Sequence, residues 1–196
     1  LAVTAQSANG KAVAERLSGQ HEMIIAGYSS GDVQVDLASA DSIRNMFEQV
    51  GKVDAVVSTA GQASFAPLQA LTDDDYQLAL QNKLMGQVNL VRIGRDYVTE
   101  GGSITLTSGV LSRQPMPGSA AISMVNGALE SYVKAAALEL NQLKLNVVAP
   151  VFVKETMAMM GMDTEGGVSA SDTAKAYVVA VEGDMHGQTL DITHYI

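Results

Sequence analysis

Short apolar runs alternate along this chain with stretches whose apolar residues recur at helical spacing. Leu1-Ala2-Val3 is a first apolar run ending at Thr4, and residues 10–17 then read as a helix. Met23-Ile24-Ile25-Ala26 forms a second strand-like run, closed by Gly27. Ser39 suits an N-cap for a helix whose Ile43, Met46, Phe47 and Val50 share one face, and Gly51 stands where helices commonly end. Residues 53–57 give the next buried-type strand. Thr72 can cap a long helix, because Asp73, Asp74 and Asp75 place carboxylates at its positive end, with Leu80, Leu84, Val88 and Val91 as its core stripe. A strand over 104–107, an alanine-rich helix over 119–140, a strand over 145–149, a helix over 171–181 and a strand over 189–192 complete the pattern.

Strand and helix in strict alternation imply parallel strands joined by right-handed crossovers. The expected fold is α/β: a single doubly wound Rossmann-type domain over residues 1–196, with a mostly parallel central sheet and helices on both faces. In such sheets ligands bind beyond the carboxyl ends of the strands, near the switch in strand order. The loops over 4–10, 27–31, 58–61, 108–118 and 150–156 are therefore the places to look for chemistry.

Composition narrows the function classes. With 12 Lys+Arg against 21 Asp+Glu the net charge is −9, which argues against a protein that tracks nucleic-acid phosphates. The absence of cysteine removes disulfide scaffolds, thiolate zinc sites and cysteine nucleophiles. The longest uncharged stretch, residues 55–72, contains Gly61, Pro67 and several Gln and Ser residues, too polar for a membrane span. The chain opens at Leu1 rather than Met, and no basic segment precedes an apolar run there, so no secretory signal is expected. A soluble, cytoplasmic protein that binds neither nucleic acid nor membrane is the expectation.

The loops resemble those of the short-chain dehydrogenase/reductase family over nearly the whole chain. Val35-Asp36-Leu37 is similar to the acidic turn that meets adenine. Ser58-Thr59-Ala60-Gly61 stands where the family has Asn-Asn-Ala-Gly. The stretch from Gly101 to Gly109 resembles the strand carrying the catalytic serine, and Leu145-Asn146-Val147-Val148-Ala149-Pro150 the strand and proline beside the nicotinamide. Gly187-Gln188-Thr189-Leu190-Asp191 is similar to the family's last strand. The resemblance implies an oxidoreductase that moves hydride between NADP (or NAD) and a small carbonyl or alcohol substrate. Its implied cofactor residues are Thr4, Ser7, Gly10, Tyr28, Asp36, Leu37, Ala60, Gly61 and Pro150.

The sequence also departs from the family. Of the glycines that let backbone approach the pyrophosphate, only Gly10 remains; Thr4 falls at the first position, and Ala8 or Ser7 at the second. After the second strand come Tyr28, Ser29 and Ser30, with no carboxylate before Asp32. Hydroxyls there tilt the preference towards NADP. The family's Tyr-x-x-x-Lys pair is missing: Ile122 stands at the tyrosine and Asn126 at the lysine, which excludes the standard proton transfer. None of the six Tyr has a Lys four residues later. Gly109 takes the serine position without a gap, and Ser108 takes it if one residue is inserted. That choice decides whether Ser108 enters the cleft. Lys83 occupies the family's asparagine position, so lysine and asparagine have exchanged places. The exchange is expected to keep a polar Lys83–Asn126 contact beneath the cleft.

Lys83, Ser108 and Asn126 are thus the candidate catalytic residues. Lys83 would act as a proton donor or electrophile if burial depressed its pKa, or as a structural lysine on strand carbonyls. Arg113 is a candidate anchor for an anionic substrate. Met157, Met159, Met160 and Met162 lie where the family has its substrate lid, and Gly166-Gly167 gives that segment a joint. His21, His186 and His194 show no metal spacing, so no metal is expected. The small residues Ala120, Ala121, Gly127 and Ala128 fit a homo-oligomer through the family's fourth and fifth helices, here the long helices that begin at Thr72 and Ser119. The alternative to an oxidoreductase is a non-catalytic nucleotide- or metabolite-binding protein on the same fold.

Overall fold

The computed structural model describes residues 2–4 and 7–196. Its strands are β1 (Ala2–Thr4), β2 (Ile24–Gly27), β3 (Val33–Gln34), β4 (Val53–Ser58), β5 (Val98–Thr107), β6 (Lys144–Ala149) and β7 (Thr189–Asp191). The helices are α1 (Ala8–Leu17), α2 (Ala40–Val50), α3 (Asp73–Leu78), α4 (Met85–Gly94), α5 (Ala120–Ala137), α6 (Lys154–Met159) and α7 (Ala170–Glu182). The strands form one seven-stranded sheet in the order β3-β2-β1-β4-β5-β6-β7, with parallel pairing throughout. Strand order reverses between β1 and β4, which opens a crevice at their carboxyl ends.

Helices cover both faces, as the alternation requires. On one side Ile43 and Phe47 of α2, Leu90 and Val91 of α4, and Leu129 and Val133 of α5 pack against Ile104, Leu106 and Leu145 of the sheet. On the other, Val13 and Leu17 of α1 and Ala174, Tyr177 and Ala180 of α7 meet Val57, Val148 and Leu190. The caps form where the sequence places them. Ser39 accepts from the Ser42 amide, and Thr72 and Asp75 make a reciprocal capping box. Two short elements, β3 and α6, lack a periodic signal of their own; β3 is a two-residue strand paired with Ala26 and Gly27. No helix among the described residues is long and apolar enough to cross a membrane.

The helix expected to run unbroken from Thr72 is interrupted. Between α3 and α4, residues Ala79–Leu84 make a π-helical turn. The wider turn rotates the buried face, so Ala79, Lys83, Gln87 and Leu90 point inward. Leu80 and Leu84 are half-buried instead, against Ala121 and Val125 of α5. Gln87 then acts as an extra strand rung. Its Nε2 donates to the Thr107 carbonyl, its Oε1 accepts from the Thr107 amide, both at 2.8 Å, and Nε2 also reaches the Lys83 carbonyl. The end of β5 and the π turn are thereby held together.

Candidate active site

Beyond the carboxyl ends of the strands lie two connected hollows. The outer groove, about 610 Å³, is lined by Ser7, Gly27, Tyr28, Asp36, Leu37, Thr59, Ala60 and Gly61, among others. The inner cavity, about 280 Å³, is walled by Lys83, Ser108, Gly109, Ile122, Asn126 and Pro150, among others. Thr59 and Gly61 line both.

Of the candidate cofactor residues, Thr4 ends β1 and pairs with Ala26 and Ser58, while Ala5 and Gln6 of the same loop lie outside the described residues. Ser7 is the N-cap of α1, its Oγ accepting from the Gly10 amide at 3.1 Å and donating to Thr59 Oγ1 at 3.2 Å. The positive end of this helix therefore faces the groove. Asp36 accepts from the Ala38 amide and lines the groove beside the buried Leu37. Asp32, the first carboxylate after β2, accepts from the Ile25 amide through Oδ2 at 2.8 Å.

Lys83 enters the inner cavity from the π turn. Only 8% exposed, it donates from Nζ to the Ser108 carbonyl at 3.2 Å. The expected Lys83–Asn126 contact is not made: both Asn126 side-chain atoms are buried without a hydrogen-bond partner among the described residues. Lys83 is drawn to the Ser108 carbonyl just past β5, and the face of Gly109 lies against Asn126 instead; a Cβ built on Gly109 would sit 2.8 Å from Asn126 Nδ2. The Ser108 hydroxyl is committed to Glu130 Oε1 at 2.9 Å, where Ser112 Oγ also donates at 2.7 Å. Arg113 faces Glu130 at 3.7 Å and Asp191 at 3.1 Å and does not line the cavity, so it is a structural cation rather than a substrate anchor. Tyr177 does not replace the missing phenol. Fully buried in α7, it is hydrogen-bonded to Thr107 Oγ1, and burial pushes its pKa upward.

The histidines are structural where bonds are seen: His21 meets Glu182, and His186 accepts from the Leu145 amide and donates to the Ala137 carbonyl. Met157 is buried, whereas Met159, Met160 and Met162 are exposed. Sequence reasoning missed Asn9, whose buried Oδ1 lacks a partner among the described residues and which lines the inner cavity. It also missed Gln87, which sits at an inward position only because of the π turn.

Burial lowers the Lys83 pKa from 10.5 to about 8, and desolvation is the sole cause. Below pH 8 the lysine is charged in folded and unfolded protein alike, and its burial weighs fully on the fold. Between 8 and 10.5 the folded protein holds it neutral while the unfolded chain keeps the proton, so stability rises with pH across that window. Relative to Lys83→Met, the wild-type protein is expected to gain roughly 2 kcal/mol between about pH 8 and pH 9.5. Urea unfolding of both proteins at the two pH values checks this, and a flat or falling difference contradicts it.

The comparisons with known proteins agree with this architecture. A family model described as enoyl-(acyl carrier protein) reductase matches residues 1–182. The chain belongs to the short-chain dehydrogenase/reductase family, a class of oxidoreductases. An uncharacterized oxidoreductase of Methylorubrum extorquens is 29% identical over 86% of this chain and 71% of its own length. Versicolorin reductase 1 of Dothistroma septosporum is 29% identical over 75% of this chain but only 59% of its own length. Among solved structures, the protein lin1944 from Listeria innocua is 39% identical with a TM-score of 0.92, covering 97% of this chain and 96% of its own. A small-chain dehydrogenase solved in complex with NADPH is 29% identical with a TM-score of 0.86, covering 97% and 94%.

Proposed function

We propose that this chain is an NADP-dependent reductase of small carbonyl compounds in which Lys83 does the proton work that the family gives to tyrosine. One observation carries the reading: a buried ammonium without a counter-charge sits in the inner cavity, which opens into a groove lined by the expected cofactor residues. The small-chain dehydrogenase in complex with NADPH supports the choice of cofactor.

The residues fit the dinucleotide. Asp36 and Leu37 would hold adenine, Tyr28 and the serines after it the 2′-phosphate, and Ser7 and Gly10 at the α1 start the pyrophosphate. Ala60, Gly61 and Pro150 would flank the inner half. The unpartnered Asn126 amide, with one donor and one acceptor group buried, suits ribose hydroxyls, so it takes over the holding role of the family's lysine. A bound reduced nicotinamide supplies a hydride. Lys83 keeps one N–H on the Ser108 carbonyl and turns another to the substrate oxygen, polarising the C=O bond. As the carbonyl carbon gains hydride, the oxygen takes a proton from Lys83, yielding the alcohol and a neutral amine that water then reprotonates. A pKa of about 8 suits this role near neutral pH. Gly109 stands at the family's serine position, since it and not the Ser108 side chain faces Asn126.

The working unit we propose is one Rossmann-type domain over 1–196, acting in the cytoplasm as a homo-oligomer. The exposed Met85 of α4 and Met124 of α5 favour that pairing. The test is NADPH consumption, followed by absorbance, over a panel of small aldehydes and ketones. Turnover of at least one compound is expected; saturable NADPH binding without turnover on any would favour a binding protein instead.

A further inference from the structure

Lys83 is the only ionisable side chain among the residues lining the inner cavity. It is nine-tenths buried and forms no ion pair among the described residues. The carboxylate behind the neighbouring strand turn, Glu130, is occupied by the hydroxyls of Ser108 and Ser112 and by Arg113, and Asp191 is occupied by Arg113 as well. The groups that meet Lys83 are uncharged, namely Gly61 from the β4 loop, the Ser108 carbonyl just after β5 and Gln87 of α4, and Asn126 of α5 lines the same cavity. Much of the remaining wall is apolar, with Val110, Leu111, Ile122, Val151 and Phe152.

We propose that this uncompensated ammonium makes the site discriminate between the two redox forms of the dinucleotide, binding the reduced form more tightly than the oxidised one, which suits the site to carbonyl reduction rather than alcohol oxidation. The inference rests on the proposed function. The two forms carry the same phosphates and sugars, and differ in the ring: the oxidised nicotinamide is a cation and the reduced one is neutral. Two like charges held in one small, largely apolar hollow repel, and the burial of Lys83 limits how far water screens them. Asn126 cannot offset that repulsion, because its amide carries no charge, and Gly109 contributes no side chain. The proton bookkeeping points the same way. A protonated Lys83 is ready to give a proton to a reduced carbonyl, whereas alcohol oxidation needs it neutral beforehand. Product release is favoured by the same charge, since the spent cofactor becomes cationic while water returns the proton to Lys83.

The test is calorimetric titration of NADPH and of NADP⁺ into the wild-type protein and into Lys83→Met and Lys83→Gln. Wild type at about pH 7 is expected to bind NADPH roughly tenfold or more tighter than NADP⁺. In either variant the ratio should fall to within about threefold, mainly through tighter NADP⁺ binding. Should the variants fail to fold, wild type at roughly pH 9.5 removes the same charge without a substitution, and the ratio should narrow there too. The phosphates titrate alike in both forms and cancel from the ratio. Equal affinities in wild type, or a ratio unmoved by both the variants and high pH, would overturn the inference while leaving the reductase reading standing. Failure of wild type to bind either form would remove that reading, and the inference with it.

Discussion

Replacing Lys83 with methionine is expected to slow carbonyl reduction by roughly 10²–10⁴-fold while leaving NADPH affinity within a few-fold of wild type. Methionine matches the stem of the lysine, so the packing against Gly61 persists, but it carries no N–H for the substrate oxygen. Ile122 cannot step in, because a hydrocarbon holds no transferable proton, and Tyr177 is sealed in the α7 side of the core with its hydroxyl on Thr107. NADPH affinity is spared because the groove residues from Ser7 to Leu37 do not touch Lys83. Stability near neutral pH should not fall, since the change removes a buried charge along with a single hydrogen bond to Ser108. Steady-state kinetics and an NADPH titration on the same preparation check this. Unchanged turnover would mean that water, not Lys83, delivers the proton.

Gly61→Ala is expected to destabilise the protein by about 2–4 kcal/mol and weaken NADPH binding at least tenfold. Gly61 has φ +142, a region L side chains avoid, and a Cβ there would lie 2.8 Å from Lys83 Cγ and 3.1 Å from Lys83 Cα. Lys83 cannot retreat, because Gln87 holds its carbonyl and the same Gln87 is clamped to Thr107. Relief must come from the backbone between the outer groove and the inner cavity, and Gly61 lines both. Thermal unfolding and NADPH titration read the two effects separately. A variant as stable as wild type with unaltered affinity would show that this turn is not the joint between the two hollows.

Much of the fold was legible because its signals are local. Ser39, Thr72 and Gly51 mark helix ends by hydrogen-bond geometry that belongs to a few neighbouring residues. The apolar runs of β4, β5 and β6 are buried on both faces and carry no competing period. The π turn was not legible, because Leu80, Leu84, Val88 and Val91 fit an unbroken α-helix equally well. What selects the π turn is the packing of α4. Gly86 comes close enough to Leu37, and Gly94 to Phe47, that an added Cβ would lie 2.8 Å from either.

The contacts of the candidate residues were not legible in the sequence. Lys83 and Asn126 do line one cavity, as their exchanged positions implied, but they do not bond to each other. An ammonium finds the Ser108 carbonyl within reach, and that carbonyl's position depends on the end of β5 and on Gln87 rather than on sequence spacing. Ser108 and Gly109 could not be separated by alignment, since a one-residue shift turns a strand side chain to the opposite face. The Ser108 hydroxyl donates to Glu130, and Ser108 and Gly109 both line the inner cavity. Arg113 looked available as a loop cation because its partners, Glu130 and Asp191, are distant in the chain.

On this proposal the acidic chain binds a dinucleotide across the groove and cavity, although most of the phosphate-loop glycines are gone. Its positive potential at the phosphates comes from the α1 helix end, not from a basic surface. The most direct measurement is a fluorescence titration of NADPH into the wild-type protein. Saturable binding at one site per chain, in the micromolar range and displaced only by a larger excess of NADP⁺, is the expected result. No change in NADPH fluorescence up to millimolar concentration would contradict the account.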